Sequence, residues 1–189
     1  MEDKFTTIYK KNAWGNGSGG GSTIEFNKNT YNKFLVDFIK ENNIKSVIDA
    51  ACGDWQSSYL IYDELEGVEY NGYDVVKFLI DENREKHPKY NFHHLDFFEN
   101  PEGLKDADLI ILKDVLQHWS SNQVVYFLDR ILNRFKYILI CNTCNQTCDY
   151  ELNDSPEIPL SCNFFPLNKY GAKEVYKYED KEVSIIQYK

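Results

Sequence analysis

A chain of 189 residues, 42% hydrophobic and 15% aromatic, is long enough to bury one sizeable core, and its length argues for a single domain that folds by itself. No apolar run approaches the roughly 20 residues of a membrane span, and the opening MEDKFTTIYKKNAW lacks the apolar core of a secretory signal, so the expectation is a soluble, cytoplasmic protein. A net charge of −9 disfavours a nucleic-acid partner, whose binders carry a basic field, and five cysteines without the spacing of a disulfide framework read as free thiols.

The first conspicuous stretch is NGSGGGSTIEFN, residues 16–27. On composition alone a GSGGGS run is a flexible linker, but the segment before it, Met1 to Asn16, is too short to be a domain. From Asn29 to Asn43, Tyr31, Phe34, Leu35, Phe38 and Ile39 fall at helical spacing opposite Lys33, Asp37, Lys40 and Glu41, which predicts an amphipathic helix ending at Asn42-Asn43. Lys45 to Asp49 reads as a short buried strand that stops at a carboxylate. Strands are predicted again at residues 70–74, 91–96, 108–112 and 137–141, with the clearest intervening helices at 78–86 and 123–135. Strands alternating with helices require a parallel sheet covered on both faces, because each parallel connection is a crossover; the expected fold is α/β and doubly wound. Residues 142–171 are rich in cysteine, asparagine and proline without periodicity, and are expected to form a functional loop on the acceptor side. Glu174 to Tyr178 and Val183 to Tyr188, linked by Glu179-Asp180-Lys181-Glu182, predict an antiparallel hairpin at the carboxyl-terminal edge.

Open α/β sheets bind ligands beyond the carboxyl ends of their strands. Four such ends carry carboxylates here: VIDAACGDW (47–55), GYDVV (72–76), FHHLDFFE (92–99) and DLIILKDVLQHW (108–119). A dinucleotide site would need G-x-G-x-x-G at the first turn, and AACGDWQ at 50–56 does not supply it.

In this order the four ends resemble the class I S-adenosylmethionine-dependent methyltransferases, whose first motif reads approximately V-[LI]-D-x-G-C-G-x-G. Two positions depart: Ala51 replaces a glycine and Trp55 the last one. Alanine permits close backbone approach where φ is negative, and the tryptophan is expected to project over the cofactor or the acceptor pocket. The resemblance implies a Rossmann-like methyltransferase sheet, S-adenosyl-L-methionine as cofactor, and a defined set of contacts. Asp49, with Ala50, Ala51, Cys52, Gly53 and Trp55, would lie near the methionine end. Asp74, with Val75, would grip the ribose hydroxyls, a role suited to an acceptor-only carboxylate that can receive both donors. Asp96 would receive the adenine amino group beside the Phe97 N–H, and the carbonyl around Lys113 would accept from the cofactor's ammonium. The competing reading of each lone aspartate is a helix cap or turn former.

The pattern W-x-x-x-S-G-x-G-S followed by N-T-Y, from Trp14 to Tyr31, together with CGDWQ and the Asp114–His118 segment DVLQH, resembles methyltransferases associated with glycan modification, including domains of large algal viruses. On that resemblance residues 1–27 form a native amino-terminal lid. Trp14, Ser18, Gly19, Gly20 and Ser22 would lie at the cofactor, with successive backbone N–H groups meeting its carboxylate. The implied acceptor is a sugar hydroxyl.

Methyl transfer from a sulfonium is an in-line displacement that needs alignment and, for a hydroxyl acceptor, a base. Asp114 and His118 are four apart, hence on one face if residues 115–119 form a helical turn; His118 is the candidate base and Asp114 its orienting partner or a sugar ligand. Otherwise His118 packs beneath a loop. Trp55 and Trp119 offer flat platforms for a sugar ring, or core packing. Cys141, Cys144, Cys148 and Cys162 read as thiols near the active site rather than zinc ligands, because structural zinc sites normally pair two short knuckles, and no metal is expected. A small-molecule or protein methyltransferase, and a noncatalytic cofactor-binding module, are the competing functional readings.

Overall fold

The computed structural model describes residues 1–151 and 159–188, and the chain divides into two compact units, Met1–Lys105 and Asp106–Lys189. The expected acceptor-side loop at 142–171 therefore lies partly outside the described residues.

The first unit runs α1 (Glu2–Lys10), a 3-10 turn at Gly20–Ser22, α2 (Ile24–Asn27), α3 (Tyr31–Glu41), β1 (Ser46–Ala50), α4 (Tyr59–Tyr62), β2 (Glu69–Asp74), α5 (Lys77–Lys86) and β3 (Asn91–His94). Its strands are parallel in the order β3-β2-β1, with Asp49 opposite Gly72 and Asp74 opposite His94. Helix α3 buries Tyr31, Leu35 and Ile39 of the expected stripe together with Asn32 and Val36, while Phe34 and Phe38 are only half-buried, so the buried face is rotated from the one read in the sequence. It stops because Asn43 turns left-handed at φ 50°, letting Asn43 N–H reach Lys40 O and Ile44 N–H reach Ile39 O, a Schellman ending with asparagine where glycine is usual.

The second unit runs β4 (Ala107–Lys113), a 3-10 turn at Leu116–His118, α6 (Ser121–Ile131), β5 (Phe135–Thr143), a 3-10 turn at Leu167–Tyr170, β6 (Lys173–Tyr178) and β7 (Lys181–Gln187), with strand order β4-β5-β7-β6. Strand β4 is parallel to β5, whereas β7 is antiparallel to both β5 and β6. The seven strands thus form a mixed sheet, mostly parallel with antiparallel carboxyl-terminal strands.

Several boundaries differ from those read in the sequence. Helix α6 starts at Ser121 because Ser120 and Gln123 close a capping box, and it ends at Ile131, leaving Phe135 to begin β5. Strand β3 ends at His94; Leu95 N still donates to Asp74 O at 3.0 Å, and Asp96 lies beyond the strand. The hairpin link is only Glu179-Asp180, since Lys181 and Glu182 already pair in β7. Helix α1 is absent from the sequence reading; its apolar residues Phe5, Ile8 and Tyr9 share one face, but that face is short and only half-buried. Among the described residues no helix is long and apolar enough to cross a membrane.

Candidate functional site

In the first unit the turn after β1 is held in an unusual backbone path. Residues 51, 53 and 55 are all left-handed, Ala51 at φ 69°, Gly53 at 57° and Trp55 at 54°. The negative φ expected at Ala51 is not adopted: the N–H groups of Ala51 and Cys52 both donate to Tyr73 O, at 2.8 and 3.0 Å, and this bifurcation fixes the turn. A left-handed alanine costs about 1–2 kcal/mol through its Cβ. Ala51→Gly is therefore expected to stabilise the fold by about 1 kcal/mol after the larger unfolded-state entropy of glycine is subtracted, measurable by chemical denaturation.

The Trp55 side chain does not project over a ligand. It is 1% exposed, stacked on Tyr62 at 6.1 Å between ring centroids, with Tyr70, His87, Tyr90 and Phe92 at 4.7–5.0 Å. Burying roughly 200 Å² of indole is worth about 5 kcal/mol, more than the left-handed backbone costs, so core packing decides its direction. Trp119 is likewise core, 2% exposed with its ring edge-on to Phe127 at 5.1 Å, and neither tryptophan is a platform for a sugar.

Two carboxylates stand at the strand ends. Asp49 is buried and accepts from Tyr70 Oη at 2.9 Å. Asp74 is buried and accepts from Gly53 N at 3.0 Å and Val76 N at 2.8 Å. Burial raises its pKa from 3.8 to about 6, against the opposing pull of those backbone N–H groups. A carboxylate has about four lone-pair sites, so Asp74 keeps acceptor capacity beyond these two bonds. The buried Asn83 donates to Gly53 O at 2.8 Å and braces the turn from α5; sequence reading missed it, although an asparagine on the apolar face of a helix is a signal that could have found it.

Around these groups, Ala50 and Cys52 are buried, and burial pushes the Cys52 thiol well up, helped by the charges of Asp74 and Asp49. Val75 follows β2, and its carbonyl lies 3.1 Å from His94 Nε2. Asp96 lies beyond β3, where its Oδ1 accepts from Glu99 N at 3.3 Å and its Oδ2 is 3.6 Å from the Met1 amino group; Phe97 beside it is buried.

The glycine segment is ordered against the same turn. Ser18 N donates to Asp54 Oδ2 at 3.0 Å, so the carboxylate this N–H meets is the protein's own, a correction to the expectation that it is reserved for a ligand. Ser22 N donates to Gly19 O at 3.0 Å, closing the 3-10 turn, so this N–H too is taken within the segment. Gly19 is buried at φ 90° and Gly20 is exposed. Trp14 is 37% exposed and packs edge-on to Tyr9 at 5.5 Å. Tyr9 and Asp54, both absent from the sequence-derived site, are brought here by contacts between distant segments.

In the second unit Lys113 ends β4, and Asp114 follows with left-handed φ 57°. Residues 116–118 form a 3-10 turn rather than an α-helical one, so positions four apart no longer share a face. The Asp114 carboxylate instead accepts from Lys113 Nζ at 2.8 Å and Lys181 Nζ at 2.6 Å. Burial opposes ionisation of Asp114, but the two ammonium groups outweigh it and hold the carboxyl below its usual range. The inferred role of Asp114 in orienting His118 is corrected accordingly: its charge is directed at the two lysines. Lys181 also donates to Thr143 Oγ1 at 3.1 Å, and Gln117 Oε1 accepts from Thr143 N at 3.1 Å. Cys141 is buried with Sγ 3.5 Å from Tyr178 Oη, Cys162 is buried, and Cys148 is exposed; among the described residues no group of three or more His, Cys, Asp or Glu side chains could hold a metal ion.

The fold is that of known methyltransferases. The chain superposes on human N-acetylserotonin methyltransferase in complex with S-adenosylmethionine with a TM-score of 0.63 and 15% identity, covering 99% of this chain and 56% of that one. An O-methyltransferase family protein from Burkholderia thailandensis gives 0.59 and 15%, covering 82% and 55%. The methyltransferase domain of bacterial CtHen1 gives 0.63 and 13%, covering 84% and 96%. The chain thus spans little more than half of the first two proteins and nearly all of the third. No protein-family model matches it, and no curated protein does.

Proposed function

We propose that this chain is an S-adenosylmethionine-dependent O-methyltransferase acting on a small hydroxyl-bearing acceptor, a sugar or glycan first among them. The observation that carries the reading is Asp74: an acceptor-only group at the carboxyl end of β2, fixed by the Gly53 and Val76 N–H groups, with lone pairs left for two ribose hydroxyls. The fold agrees, since neighbours of this architecture were crystallised with S-adenosylmethionine or S-adenosylhomocysteine. The sugar rests on the sequence resemblance of the Trp14–Tyr31 segment, CGDWQ and DVLQH alone.

The residue types fit the cofactor: Asp74 and Val75 for the ribose, Asp96 and Phe97 for the adenine, and Asp49 with the turn 50–53, the carbonyl near Lys113, and Trp14, Gly19 and Gly20 toward the methionine end. When bound, the cofactor supplies a methyl group on a sulfonium. The chain's part would be to align the acceptor oxygen with that methyl group and to take the proton of the acceptor hydroxyl, a role assigned to His118. Calorimetric titration with S-adenosylmethionine, S-adenosylhomocysteine and NAD should show binding of the first two only; binding of NAD alone would overturn the reading. Screening of oligosaccharide and small phenolic acceptors then decides the acceptor class. His118→Ala is expected to slow transfer by about a hundredfold or more while leaving S-adenosylhomocysteine affinity within about twofold. Transfer at the wild-type rate would remove His118 from the mechanism.

A further inference from the structure

The segment between α1 and α2 is shaped to hold one conformation. Ser18 donates twice to Asp54, from N to Oδ2 at 3.0 Å and from Oγ to Oδ1 at 2.7 Å, and Asp54 N donates back to Ser18 Oγ at 3.2 Å. Tyr9 Oη lies 2.7 Å from the same Ser18 Oγ, and Gln56 Nε2 donates to Asn16 O at 2.9 Å. Only glycine fits at position 17, where φ is 67° and a Cβ would fall on the Asp54 carboxylate. Left-handed residues at 12, 15, 16, 17 and 19 make a specific chain reversal. A generic spacer needs neither this backbone nor these contacts.

The clasp also fixes what lies over the turn after β1. A Cβ at Gly53 would meet Ser18 Oγ at 2.6 Å and Tyr9 Oη at 2.9 Å, so these two hydroxyls cover the residue whose N–H holds Asp74. Further along, the Tyr9 ring is edge-on to Phe78 at 6.4 Å, and Glu2 Oε1 is 3.4 Å from His94 Nε2. Helix α1 therefore lies along the carboxyl ends of β2 and β3, beside the carboxylates assigned to ribose and adenine.

We propose that Ser18 and Asp54 form a clasp that gates uptake and release of the adenosyl cofactor, with Tyr9 carried on it as the cover over Gly53 and Asp74; the inference rests on the cofactor reading above. The clasp closes on Asp54 rather than on a ligand, so it forms in the free and the bound protein alike. A cover closed equally in both states must open for every passage, which slows association and dissociation together and leaves affinity almost unchanged, because only a difference between states shifts an equilibrium. A binding wall behaves otherwise: its loss weakens affinity through dissociation alone.

The test is stopped-flow fluorescence of S-adenosylhomocysteine binding to the full chain, with Trp14 on the cover as reporter. Ser18→Ala is expected to raise both rate constants by roughly tenfold and keep Kd within about threefold, and Ser18→Thr, which keeps the hydroxyl, should restore wild-type rates. Rates unchanged in Ser18→Ala would overturn the gate, as would faster dissociation alone with a weaker Kd. A wild-type protein that binds neither S-adenosylhomocysteine nor S-adenosylmethionine would overturn the cofactor reading and the gate with it. Wild-type binding with unaltered variant kinetics would overturn the gate only.

Discussion

Trp55→Ala is expected to lose about 3–5 kcal/mol of stability, the range for truncating a large buried aromatic, and to lower the melting temperature by roughly 10–15 °C in a chain of this size. The indole fills the centre of a cluster drawn from α4, β2, β3 and the turn after α5, and Tyr62 and Tyr70 lie against it at 6.1 and 5.0 Å. Those rings cannot all move inward when it is removed, so most of its volume remains as a cavity. Relief of the left-handed backbone does not offset this, because alanine is strained there too; Trp55→Gly would recover only about 1–2 kcal/mol. Trp55→Phe, which keeps the ring contacts, should fold and bind S-adenosylhomocysteine within about twofold of wild type. A Trp55→Phe variant that folds normally but loses cofactor affinity would show that the indole acts at the ligand, as its place in the motif suggests. Thermal melts and calorimetry on the same samples separate the two outcomes.

The difference between the motif's suggestion and the observed direction of Trp55 shows where sequence reading reaches its end. Strands β1, β4 and β5 are legible because buried parallel strands leave short apolar runs, and β1 and β2 because they end at a carboxylate; both signals are carried by neighbouring residues. The places of Asp49 and Asp74 followed from those endings. The direction of Trp55 depends on a left-handed φ and on a space assembled from four separate elements, neither of which a local pattern encodes. Similarly, an α-helical turn would pair Asp114 with His118, four residues on; the chain forms a 3-10 turn there and brings in Lys181 from β7. Ser18 and Asp54 are 36 positions apart, and only the folded chain reveals that the absence of a side chain at Gly17 lets them meet. Local periodicity therefore located the strand ends, whereas the contacts that tune them were long-range.

Asp74→Asn is expected to weaken S-adenosylhomocysteine binding about ten- to hundredfold at pH 8, the effect of replacing a charged acceptor of two hydroxyl donors by a neutral group with one oxygen. The pH dependence gives the sharper result, because one carboxylate should drive stability and affinity in opposite directions. Its folded pKa of about 6 lies above the ordinary 3.8, so the folded state prefers the protonated form. The stability this preference contributes is complete below pH 3.8 and is lost as pH rises through 6, a loss of about 3 kcal/mol for a shift of about two units. Denaturation curves at pH 4 and pH 8 should show the wild type losing more stability than Asp74→Asn by roughly that amount. Affinity should move the other way. The ionised carboxylate accepts both ribose hydroxyls and the protonated one cannot, so wild-type affinity should rise between pH 5 and 8 with its midpoint near or below 6, while Asp74→Asn stays flat. A wild-type affinity flat across that range would leave Asp74 as a brace for Gly53 and Val76 and would transfer the ribose to another group.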